Sequence, residues 1–252
     1  MTAVQSEVVS TIKKVCQTFI NDKLLNSKSA NTMLGSVTYL FFGKQVSLQS
    51  LNIKLGRFGE FLPKEIIRNT NHLSLLPDGV ISLNKTTKKD IDLLWVNEET
   101  KIVYYREAKG NMEMDTEKIP KMIEKIQNDI KPYIEKTYPE YTLNAGILHW
   151  SIYDRKQKFK GFAQVKKCEN HVICEKTNTK LVVDHFQDFI QLCDIDWSEE
   201  DFYTWCRSIG EQLKTSHSKK VENTTNELQH EIDELKAKMR DLGLKSITID
   251  VD

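Results

Sequence analysis

"KDIDLLWVNEETKIVYYREAKGN", residues 89–111, sets two runs of apolar and aromatic residues on either side of a short polar connection and then closes on Glu107-Ala108-Lys109. Both runs are too short for helices and rich in aliphatic and aromatic residues, so they predict strands over 90–96 and 101–109, with 97–100 as the turn of an antiparallel hairpin. That turn pairs Val96 with Lys101. Counting outward, it brings Asp90 opposite Glu107, with Asp92 on the same face and diagonal to it. Two or three carboxylates then meet at one sheet edge, where they repel one another unless a cation lies between them. A hard divalent ion with oxygen ligands, Mg²⁺ first, suits that place. Residues two apart in a strand share a face, so Lys109 lies beside Glu107 and can hold a water or neutralise a phosphate. Metal, water and cation together are the equipment for phosphodiester hydrolysis. The plainer alternative is a surface hairpin whose acids are solvated or paired with Lys88 and Lys89. The tripeptide alone decides nothing, since an acid two residues before a lysine recurs at Glu99/Lys101, Asp129/Lys131, Asp154/Lys156 and Glu234/Lys236.

Outward from the hairpin the periodicity changes. Before it, "VVSTIKKVCQTFIN" (8–21) and "LGRFGEFLPKEIIRN" (55–69) repeat apolar residues at helical spacing, with Pro63 expected near a kink or boundary. "LLPDGVISL" (75–83) reads as a turn leading into a first strand, making a three-stranded meander with the hairpin. After it, "DTEKIPKMIEKIQNDI" (115–130) predicts a helix capped by Asp115 or Thr116, which Pro132 should kink or end. "YTLNAGILHWSIY" (141–153) reads as a largely buried strand. Further on come a lysine-dense stretch with interleaved phenylalanines (154–167), an acidic and aromatic helical region, and a polar stretch (214–226) taken as a linker. In the last helix Leu228, Ile232, Leu235, Met239 and Leu242 recur at steps of four and three, a seam of about two heptads.

At 252 residues the chain is long enough for a substantial core, and its 29% charged and 39% hydrophobic residues suit a soluble globular protein. Lysine plus arginine equal aspartate plus glutamate at 36 each, so contact with a polyanion must come from local basic patches. Five scattered cysteines with no signal peptide suit reduced thiols and a cytoplasmic location. Cys168, His171 and Cys174 lack a fourth partner at zinc spacing. No apolar run approaches the roughly 20 residues of a membrane span. His149, on the buried strand, reads as a packed core residue rather than a general base.

An acid on the second strand, about 15 residues of hairpin, acid-x-lysine on the third, then a helix and another strand resemble the core of the PD-(D/E)xK nuclease superfamily. "NMEMDTEKI" (111–119) is similar to the continuation in certain type II restriction endonucleases. The resemblance covers about residues 55–153. It implies an α/β fold with a restriction-endonuclease-like αβββαβ core, a central mixed sheet flanked by helices, and helical N- and C-terminal additions. The expected organisation is a nuclease domain over 1–213, the linker over 214–226, and a C-terminal helix and tail over 227–252.

The resemblance further implies Glu107 and one hairpin aspartate as metal ligands, the Ala108 carbonyl as a third, Lys109 as the catalytic lysine, and a glutamate from the preceding helix, better Glu60 than Glu65. Asp92 precedes the unbroken apolar run, as the family acid usually does, whereas the pairing argument favours Asp90. Asp78, a whole strand earlier, is a weaker choice. The implied activity is Mg²⁺-dependent, sequence-specific cleavage of double-stranded DNA. The alternatives are a repair or junction-resolving nuclease of the same superfamily, or an inactive nuclease-like DNA-binding module. Arg155, Lys156, Lys158 and Lys160 follow the last core strand, and Lys118, Lys121 and Arg106 lie near the proposed site, so these are the expected phosphate contacts. Cutting both strands of a palindrome is most simply done by a two-fold homodimer.

Overall fold

In the computed structural model, which describes residues 3–25, 48–76, 80–83, 88–110, 118–151, 168–169, 171–174 and 179–241, the hairpin is the middle of a larger sheet. β4 (Leu93–Asn97) and β5 (Ile102–Lys109) pair antiparallel. The apolar run that predicted β4 is buried along its whole length, which requires cover on both faces. β1 (Leu73–Leu75) adds antiparallel to β4. β6 (Thr142–His149) and β9 (Val182–His185) add in parallel beyond β5. The result is a mixed five-stranded sheet in the order β1-β4-β5-β6-β9, with helices packed on it.

The helices with described bounds are α1 (Ala3–Phe19, continued by a π-helical turn over Ile20–Leu25), α2 (Leu48–Arg68), α3 (Lys118–Lys125), α4 (Lys131–Thr137), α5 (Phe186–Leu192) and α6 (Glu199–Asp241). One face of the sheet, with Leu94, Val96, Val103, Tyr105, Ala145 and Ile147, meets Met122, Ile123, Ile126, Ile130 and Ile134 of the α3–α4 helix. Strand alternation sends Trp95, Tyr104 and Arg106 to the other face, where the Trp95 ring stacks on Tyr104 at 5.2 Å and meets Phe189 of α5 edge-on at 5.8 Å. The chain divides into two compact units, residues 1–203 with the sheet and residues 204–252, whose described part is the rest of α6.

Several sequence expectations are corrected. The hairpin pairs Val96 with Val103 and Asn97 with Ile102, so the turn is 98–101 rather than 97–100. Asn97 keeps the last position of the ladder, and its Oδ1 accepts the Glu99 and Thr100 N–H groups at 3.0 and 2.9 Å. Lys101 completes the turn with φ 54°. An Asn that accepts the N–H groups two and three residues on is a turn former in its own right.

The first meander strand is β1, earlier than the 75–83 expected. β2 (Val80–Ser82) instead pairs with β3 (Lys88–Asp90) in a separate two-stranded sheet, as β7 (Val172–Cys174) does with β8 (Thr179–Lys180), and Asp78 lies outside the described residues.

Pro63 sits within α2, and the helix after β5 does not end at Pro132 but changes its winding just before it. α3 passes through a π-helical turn (Ile126–Ile130) into α4, with Pro132 in the first turn of α4, where a missing N–H is tolerated. The stretch 214–226 taken as a linker is helical, inside α6. The N-cap candidates Asp115 and Thr116 lie outside the described residues.

Candidate active site

β4 ends its pairing at Leu93, opposite Arg106. One further step in that register sets Asp92, not Asp90, against Glu107. The backbone secures the placement, because the Ala108 N–H donates to Asp92 Oδ2 at 2.9 Å. Asp90 pairs in β3 opposite Val80, in a separate two-stranded sheet. Of the two aspartates left open by the sequence, the geometry brings Asp92 to Glu107. Lys89 does not neutralise these acids either; it pairs with Asp129 at 2.8 Å.

Glu107 is held on both oxygens. Lys109 Nζ donates to Oε1 at 3.2 Å, while Tyr105 Oη and Lys125 Nζ donate to Oε2 at 2.6 and 3.1 Å. Lys109 Nζ also lies 3.8 Å from Asp92 Oδ2, so one ammonium spans both carboxylates. Burial works to raise the Glu107 pKa, but Lys109, Lys125 and the Tyr105 hydroxyl outweigh it and hold Glu107 below the ordinary value. Asp92 goes the other way. Burial first, then the charge of Glu107, push it up to about 6, against the opposing pull of Lys109 and the Ala108 N–H. Glu60 on α2 is close enough for its charge to add to that rise. Two acids at one spot are thus driven apart, one firmly ionised and one near neutrality, the pattern of a site where acid and base roles are divided.

Among the described residues no group of three or more His, Cys, Asp or Glu side chains is arranged to hold a metal ion. The donors present are the Asp92 and Glu107 carboxylates, with Glu60 nearby. Mg²⁺ commonly takes one or two carboxylates and fills its remaining positions with water and substrate phosphate oxygens, so this donor set fits it. Ala108, whose carbonyl the resemblance assigns to the metal, contributes its N–H to Asp92. Glu65 is turned to Arg68, which leaves Glu60 as the α2 acid acting on the site.

Arg106 is the clear correction among the expected phosphate contacts. It is 1% exposed, on the face opposite Glu107. Its Nε donates to Asp184 Oδ2 at 2.6 Å, and its remaining donors reach the Tyr105 carbonyl at 2.9 Å and the Asn144 carbonyl and side chain, both at 2.8 Å. Nothing of it is presented to a ligand. Lys118 and Lys121 are exposed on α3. Arg155, Lys156, Lys158 and Lys160 lie outside the described residues.

His149 is fully buried, its ring 5.4 Å from that of His185 on the neighbouring strand, and burial followed by His185 lowers it to about 4. It is neutral at pH 7. Sequence reasoning missed Lys125 and Tyr105. Tyr105 was legible, two residues before Glu107 on the same strand face. Lys125 carried a weaker signal: it adjoins Ile126 on the apolar side of its helix, where a lysine is out of place unless paired.

Comparison with protein-family models, curated proteins and solved structures finds no match for this chain.

Proposed function

We propose that this chain is a Mg²⁺-dependent endonuclease of double-stranded DNA, of the PD-(D/E)xK kind and in its simplest form a type II restriction enzyme. The observation that carries the reading is Lys109 Nζ bridging Glu107 and Asp92, where β5 ends beside the start of β4 and the two acids' proton affinities are split. The order α2, β1, β4, β5, helical crossover, β6 is compatible with the αβββαβ core the resemblance implies, with the β2–β3 hairpin inserted after the first strand.

In this reading Asp92 and Glu107 would hold the metal, with Glu60 assisting. Bound Mg²⁺ supplies charge neutralisation at the scissile phosphate and lowers the pKa of coordinated water. Glu107, already ionised, is ready to coordinate. Asp92 must lose its proton first. Lys109, whose Nζ lies beside both carboxylates, would hold the attacking water and offset the charge growing on the phosphate. Lys125 keeps a second positive charge against Glu107, and Lys118 and Lys121 on the same helix are exposed for the DNA backbone.

Incubation of mixed-sequence duplex DNA with Mg²⁺ should give cleavage by the wild type and a loss of at least about 100-fold for Glu107→Ala and Lys109→Ala, the range typical of lost charge stabilisation. Discrete fragments support a site-specific enzyme, and a ladder or structure-selective cutting points to a repair or junction-resolving one. Undiminished cutting by both variants sinks the assignment.

One observation favours a second reading, a nuclease-like DNA-binding module: Glu107 is already engaged by two lysines and a tyrosine. Binding without cleavage across several divalent metals would support it.

A further inference from the structure

The second unit carries a feature that the nuclease reading does not use. Every described side chain from 226 to 238 is exposed, including two large aliphatic ones, Ile232 at 41% and Leu235 at 60%. They belong to the seam Leu228, Ile232, Leu235, Met239, which winds around one side of a helix otherwise polar in this stretch. A polar helix with a narrow apolar seam at steps of four and three is the pattern of one strand of a coiled coil. It gains nothing from Ile232 and Leu235 while they face water.

We propose that this end of α6 pairs with the same segment of a second copy of the chain as a parallel, in-register two-stranded coiled coil. Two observations select a second copy of this orientation. The first is the choice of core residues. With the seam in heptad register, the β-branched Ile232 takes an a position and Leu228 and Leu235 take d positions, the combination that favours two parallel strands. The second is self-complementary charge. Glu231 falls at g and Lys236 at the following e, so a parallel two-fold places Glu231 of each helix beside Lys236 of the other, twice per dimer. Two heptads alone are marginal because a short helix must first nucleate. Here the seam lies near the end of a 43-residue helix that begins at Glu199, so nucleation is not left to the seam. The pairing stands or falls independently of the nuclease reading.

Sedimentation equilibrium of the full-length chain should give a reversible dimer. Ile232→Asp with Leu235→Asp should make it monomeric while the melting of the sheet-bearing unit is unchanged. Glu231→Lys alone should weaken the dimer about tenfold, by exchanging two attractive contacts for two repulsive ones. Adding Lys236→Glu to it should restore the wild-type dissociation constant. That rescue is specific to parallel pairing: an antiparallel pair would set position 231 against Lys238, and Lys236→Glu would not rescue it. Leu235→Cys, oxidised, should yield a covalent dimer. A chain that stays monomeric at about 100 μM, a dimer indifferent to the Ile232/Leu235 substitutions, or a charge swap without rescue would each overturn the proposal.

Discussion

Asp92 shows how one carboxylate can be shaped by its neighbours without any unusual chemistry of its own. Its pKa is raised from 3.8 to about 6, so the folded state holds this proton more tightly than the unfolded chain does. The stability it contributes is present at low pH and is lost as pH rises through that window; above about 6 the charged group works against folding. Asp92→Asn keeps an oxygen for the Ala108 N–H and removes the charge, so it should stabilise the protein at pH 8 by about 1–2 kcal/mol, a figure that discounts the full shift for partial exposure, and should change little at pH 4. Urea denaturation at the two pH values reads this directly. A metal that uses Asp92 must displace its proton, so Mg²⁺ affinity should fall about tenfold per pH unit below about 6, measured by calorimetry between pH 5 and 8. A flat profile would remove Asp92 from the ligand set. The sequence revealed that an aspartate would meet Glu107 but not which one, because the choice turned on whether Asn97 belonged to the strand or to the turn. Its side chain, by making the turn itself, leaves its backbone in the ladder.

The helices show why element existence was legible and element boundaries were not. Apolar periodicity announced α1, α2 and the helix after β5, and the short apolar runs announced β4, β5 and β6. The helix after β5 continues past Pro132 because a proline's effect depends on the turn in front of it. In an α-helix each step of four residues drifts by about 40° around the axis. The wider π-helical turn over Ile126–Ile130 opposes that drift, keeping Ile126, Ile130 and Ile134 on the sheet-facing side at 0, 0 and 1% exposure. Strand β9 escaped notice because only four residues of it pair, and they include Asp184 and His185. α2 contains a matched pair of glycines that tests how tightly it is seated. A Cβ on Gly59 would collide with the indole of Trp150, the residue that follows β6, whereas one on Gly56 meets nothing within 4 Å. Gly56→Ala should stabilise by about 0.5–1 kcal/mol through helix propensity, and Gly59→Ala should destabilise by about 1–3 kcal/mol through overpacking. Thermal melts of the two variants should move in opposite directions. Since Glu60 adjoins Gly59, only the second should also change metal affinity.

At the scale of the whole first unit, the strands that carry the site are fastened from behind. Arg106 and Asp184 are 78 residues apart in sequence, on β5 and β9, and their bond reaches across the back of β6, which lies between them. The guanidinium makes four hydrogen bonds and lies 5.8 Å from the centre of the Trp95 ring and 5.9 Å from that of Tyr104. It thereby joins β5, β6 and β9 on the face opposite Glu107. Its position next to Glu107 in sequence made it look like a DNA contact, but adjacent residues in a strand point to opposite faces, and only the pairing of β9 in parallel beside β6 reveals its partner. Arg106→Met would leave Asp184 as a nearly buried charge with its cation gone, a loss of about 3–5 kcal/mol. For a unit of this size that lowers the melting temperature by roughly 10 °C. Arg106→Lys should not rescue it, because one ammonium cannot replace a planar fork bonded in three directions. The two roles for Arg106 predict different binding data. A phosphate contact, once removed, weakens DNA binding and reduces its salt dependence by about one counterion. A buried fastener leaves the affinity of the folded molecules and the salt slope unchanged. Binding titrations at several salt concentrations, run well below the lowered melting temperature, should show the second result; a shallower salt slope for Arg106→Met would return Arg106 to the DNA surface.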